Sequence, residues 1–84
     1  MFKSRAEDGK NNVCGENLKR IRKQCVPKMS QRALAERLQL NGMDVDKNAI
    51  QRIECGKRFV TDIELVIISQ TLNVSLNKLI FYKE

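Results

Sequence analysis

The 84-residue chain has no histidine, and its three cysteines, Cys14, Cys25 and Cys55, are odd in number and fit no zinc or redox spacing. A closed Cys/His metal site is therefore out of reach, and neither a metal nor any other cofactor is expected. Scattered free thiols fit a reducing, cytoplasmic setting. Cys14 and Cys25 read as core-facing and inert. There is one proline, Pro27, and there are four glycines. So few helix breakers favour an all-helical chain. No apolar run approaches the length of a membrane span. Met1 to Asn12 is too polar and too mixed in charge for a secretory leader, so no membrane partner is expected. A Gly-rich phosphate loop and paired carboxylates at a plausible site are also missing, and an enzyme is not expected.

What is present suits one domain, read as residues 13–84 behind a flexible arm at residues 1–12. Apolar residues make up 42% of the chain, too many for disorder throughout. The net charge of +6 is unevenly spread. Residues 1–12 hold three basic and two acidic side chains, residues 13–58 eleven and five, and residues 59–84 two and three. The excess in the middle block suits a polyanion bound by one part of the domain, or else a basic, solvated surface with no partner.

Apolar spacing predicts five short helices. Cys14, Leu18, Ile21 and Cys25 share one helical face, and Pro27 ends that segment. Ser30 caps a second helix from Gln31 to about Leu40, with Leu34, Ala35 and Leu38 inward and Gly42 closing it. Asp46 caps a third, Lys47 to Cys55, with Ala49, Ile50 and Ile53 inward and Gly56 closing it. Thr61 to Glu64 is a capping box for a fourth helix reaching about Leu72, in which Leu65, Val66, Ile68, Ser69 and Leu72 can face the core. Ser75 caps a fifth helix containing Leu76, Leu79 and Ile80.

Two capped helices in succession, the second with a polar outer face, form the layout of a DNA-reading unit. An α-helix fits the major groove, and forked side chains or side chains with both donor and acceptor distinguish base pairs there. Lys47, Asn48, Gln51 and Arg52 are such side chains, on the outer face of the third helix and inside the basic block.

The stretches Met29 to Leu38 (MSQRALAERL) and Ala49 to Arg58 (AIQRIECGKR) resemble the phage repressor and Cro-like, XRE-type helix-turn-helix family with the lambda-repressor-like fold. The resemblance runs over residues 13–81 and implies a compact five-helix all-α domain that binds double-stranded DNA as a transcriptional regulator, of the repressor kind. It implies base reading by Lys47, Asn48, Gln51 and Arg52. It implies phosphate contacts from Gln31, Lys57 and Arg58, although Lys57 and Arg58 also suit plain compensation of a helix dipole. It further implies a partly buried salt bridge between Arg22 and Glu54. The alternative there is two unrelated surface charges, with Arg22 free for phosphate. The sequence departs from the family pattern at residues 25–28, longer by about two positions, and at residues 39–45, longer by about five.

A single module touches few base pairs, so a homodimer is expected, formed in solution or only on DNA. Its surface belongs where positive charge is not needed. Residues 59–84 carry a net charge of −1 and are apolar, with Ile67, Ile80, Phe81 and Tyr82 as candidates. Phe81 and Tyr82 folding back onto their own core is the competing reading. A protein-interaction module or antitoxin-type subunit on the same fold is the alternative function.

Overall fold

The computed structural model describes residues 9–82. The chain forms α1 (Gly15–Gln24), α2 (Gln31–Leu40), α3 (Lys47–Glu54), α4 (Asp62–Leu72) and α5 (Leu76–Phe81), with no strand among the described residues. This is the five-helix all-α architecture that the apolar spacing calls for. No helix among the described residues is long and apolar enough to cross a membrane.

Local chemistry starts and stops these helices. The side chains of Ser30, Asp46 and Ser75 accept from the backbone N–H three residues on, and Thr61 with Glu64 completes a reciprocal capping box. Each such cap contributes about 1 kcal/mol. Helices α2 and α3 both close on a glycine in the left-handed region, Gly42 (φ 92°) and Gly56 (φ 81°). In each case the residue after the glycine donates back, Met43 to Leu38 O at 2.9 Å and Lys57 to Arg52 O at 2.9 Å. That is the six-to-one bond of a glycine-terminated helix.

The core draws on every helix. Leu18 of α1, Leu34 and Leu38 of α2, Ile50 and Ile53 of α3, Ile68 of α4 and Leu79 of α5 are all fully buried. Helix α3 packs against both α1 and α2, so its inner face is held from two sides while its outer face stays open. The long connection at residues 41–46 is not slack. Met43 and Val45 drop into the core, and Gln39 Nε2 donates to Val45 O at 2.6 Å. The extra residues form a packed turn between α2, which still ends at Leu40, and α3.

Two expectations are corrected. The part of the arm at Met1 to Asp8 lies outside the described residues, but Asn11 and Asn12 are not loose. Asn11 N–H donates to Gly56 O at 2.8 Å, and the carboxamides of both asparagines bond the chain after α3. In α4, Val66 is exposed, while Ile67 is half-buried against the core. The helix is apolar nearly all round, so periodicity does not choose a face. Of the thiols, Cys14 is buried, and burial pushes it up to about 11, which keeps it protonated and inert. Cys25 is half-buried, and Cys55 is exposed.

Candidate nucleic-acid interface

Helix α3 carries the polar face. Lys47, Asn48, Gln51 and Arg52 are all exposed, and none of their side chains bonds another described residue. Their positions follow from the inward register of Ala49, Ile50 and Ile53, which leaves them on the opposite side of the helix. Four long or forked polar groups thus project together with no partner among the described residues.

Beside them lies an open notch between the N-terminal ends of α2 and α3, lined by Arg22, Lys28, Ser30, Gln31, Arg32 and Lys47 among others. Lys28 and Arg32 are exposed and unpaired among the described residues, and the sequence pattern alone does not single them out. A signal was available. Both flank the Ser30 cap, where the helix dipole is positive and a cation is disfavoured unless an anion also arrives there.

Under the notch, Arg22 and Glu54 meet. Arg22 Nε donates to Glu54 Oε2 at 2.6 Å and Arg22 Nη2 to Glu54 Oε1 at 3.0 Å, with both side chains at or below 10% exposure. Arg22 Nη1 also donates to Met29 O, and Gln31 Nε2 donates to Glu54 Oε1, each at 3.0 Å. The network joins α1, the entry to α2 and the end of α3. It also orients Gln31. One amide hydrogen is held by Glu54, and the other remains available to a phosphate.

Arg58 does not present a free guanidinium, because its Nη1 and Nη2 close on Glu64 Oε1 and Oε2 at 3.2 and 3.0 Å. The capping box fixes the Glu64 carboxylate at the start of α4, in reach of the returning loop. The Arg58 bond and the Thr61 backbone donor hold the Glu64 carboxyl below the usual carboxylate range, against a smaller opposing effect of burial. The Lys57 side chain, in contrast, is exposed and unpaired among the described residues.

The apolar candidates divide. Ile67 and Ile80 are half-buried in their own domain. Tyr82 is half-buried too. It donates to Gln24 Oε1 at 3.0 Å, with Arg20 and Lys78 over its ring at 5.3 and 5.6 Å. Phe81 remains 65% exposed, and Phe59, Ile63, Val66 and Leu76 are exposed as well.

A family model described as helix-turn-helix matches residues 18–79. No curated protein and no solved structure matches the chain significantly. The matched span begins in α1 and ends in α5, and so takes in both capped helices and the packing that supports them. The chain belongs to the XRE-type, lambda-repressor-like helix-turn-helix family of DNA-binding transcription regulators.

Proposed function

We propose that this protein is a sequence-specific double-stranded DNA binder acting as a transcriptional repressor in the cytoplasm, with α3 in the major groove. The observation that carries this reading is the set of side chains Lys47, Asn48, Gln51 and Arg52 on one exposed helix face, next to the cations Lys28 and Arg32, all without a partner among the described residues. Asn48 suits adenine, whose N6 and N7 match a carboxamide, and Arg52 and Lys47 suit the O6 and N7 acceptors of guanine. Lys28, Arg32, Lys57 and the spare hydrogen of Gln31 would hold phosphates. Arg58 serves instead as a tie to Glu64.

Sites selected from random duplex DNA should bind with an affinity that falls with salt. Each neutralised phosphate gives a log–log slope of about −0.9, so about five contacts give roughly −4 to −5. Asn48→Ala should relax preference at one base pair at a cost of about 1–3 kcal/mol, whereas Lys28→Ala should weaken all duplexes alike and flatten the slope by about one. A flat salt response together with no preference over random duplex would end the DNA reading and favour the protein-interaction or antitoxin-type alternative.

The homodimer belongs to the same proposal, with its apolar surface centred on the exposed Phe81 and Ile63 and bordered by the half-buried Ile80, since Ile67 and Tyr82 pack against their own core. Two copies would occupy half-sites about 34 Å apart on the duplex. Sedimentation on a two-half-site DNA should show cooperative loading that Phe81→Asp abolishes. Stepwise loading by the wild type, unaltered by the substitution, would rule the dimer out.

A further inference from the structure

The chain just before α1 clasps the end of the helix proposed to read DNA. Asn12 uses both ends of its carboxamide. Its Nδ2 donates to Ile53 O at 3.1 Å and to Arg58 O at 2.7 Å, while its Oδ1 accepts from Gly15 N–H at 2.8 Å. Asn11 adds its N–H to Gly56 O and its Nδ2 to Lys57 O, at 2.8 and 2.9 Å. The Lys10 stem crosses Gly56 so closely that a Cβ there would come within 2.8 Å of Lys10 Cδ. The carbonyls at a helix C-terminus have no partners inside the helix. Here the strap serves Ile53 in the last turn and the three residues that follow Cys55. The opposite end of α3 is fixed separately, by the Asp46 cap and the packed turn before it.

We propose that Asn12 is a positioning residue for base reading, acting by fixing the C-terminal end of α3 against the start of α1. The proposal rests on the DNA reading given above. Helix α3 has eight residues and is about 12 Å long, so a tilt at one end moves Gln51 and Arg52 directly. A bidentate bond to a base edge tolerates little of that, since hydrogen bonds weaken steeply as distance and angle depart from their optimum. Phosphate contacts from Lys28 and Arg32 arise on the α2 side and do not depend on this clasp.

Asn12→Ser separates the two duties of the carboxamide. A serine oxygen can still accept from the start of α1, but it cannot bridge Ile53 O and Arg58 O. Binding is measured well below the melting temperature, on the wild type and the variant, with the selected duplex and with random duplex. The variant should lose roughly tenfold in the ratio of selected to random affinity, as for loss of one base contact, while its affinity for random duplex and its salt slope stay unchanged. Amide exchange should quicken at Cys55 to Arg58 and not in α2. A purely structural Asn12 would lower the melting temperature and leave the ratio untouched. Asn11→Ala offers a milder probe, because Asn11 Oδ1 is already buried without a partner. It should lose roughly threefold in the same ratio. A wild type that discriminates, with Asn12→Ser and Asn11→Ala discriminating equally well, overturns the proposal alone. A wild type with no preference overturns the DNA reading and this proposal with it.

Discussion

Glu54→Ala should cost the domain about 3–5 kcal/mol, because it strands a buried guanidinium. Arg22 is 10% exposed and would keep only Met29 O as a partner, and Gln31 would lose its acceptor. A domain of this size has roughly 4–12 kcal/mol in total, so the loss is a large share of its stability. At about 4–8 °C per kcal/mol, the melting temperature should fall by roughly 12–40 °C. Arg22→Ala should act similarly, leaving a buried carboxylate. The joint replacement Arg22→Met with Glu54→Leu should recover most of the loss, since removing both charges also removes the cost of burying them. Melting of the four proteins checks this. A Glu54→Ala variant within a few degrees of the wild type would mean that the pair is solvated in solution. The double replacement has a second consequence. Gln31 would no longer be oriented, so affinity for all duplexes should drop slightly even where stability has recovered.

The pair joins residues 32 apart in sequence, and composition or periodicity alone would not have matched them. The resemblance to repressor-like domains implied it. The helices themselves were legible for a different reason. Ser30, Asp46, Thr61 and Ser75 each act within one turn of their own position, so the sequence displays cap and helix side by side. The outer face of α3 was legible because Ala49, Ile50 and Ile53 leave only one face for polar groups. Helix α4 offers no such contrast. Ile63, Leu65, Val66, Ile67 and Ile68 are all apolar, and only packing decides that Val66 is exposed and Ile67 half-buried. The route of a loop was equally hidden. Arg58 looks like a phosphate contact until the chain turns back and places Glu64 beside it. Asn11 and Asn12 read as arm for the same reason: the carbonyls they hold are more than 40 residues away, while the bond from Gly15 N–H to Asn12 is local.

Gly15→Ala should destabilise the domain by about 3 kcal/mol, against the direction that helix propensity gives. Gly15 sits in the first turn of α1 with no unusual φ, so alanine suits its backbone and would otherwise gain up to about 1 kcal/mol. The obstacle is the neighbour. A Cβ at this position would overlap Ile53 O and lie 2.9 Å from Asn12 Oδ1 and 3.2 Å from Glu54 O. The first and last of these are main-chain oxygens in the final turn of α3, and neither can rotate away as a side chain could. The start of α1 and the end of α3 must therefore part, which loosens the packing of Leu18 and Ile53, both fully buried. It also pulls Asn12 from the carbonyls it holds. Gly42→Ala is the control. Its site is open, with nothing within 4 Å, and its penalty is confined to the left-handed backbone at about 1 kcal/mol. Denaturant unfolding of both variants should place Gly15→Ala well below Gly42→Ala, with an unchanged denaturant slope if both remain two-state. A Gly15→Ala protein as stable as the wild type would show that α1 and α3 do not approach this closely in solution. The clasp on the reading helix would then lose its geometric basis.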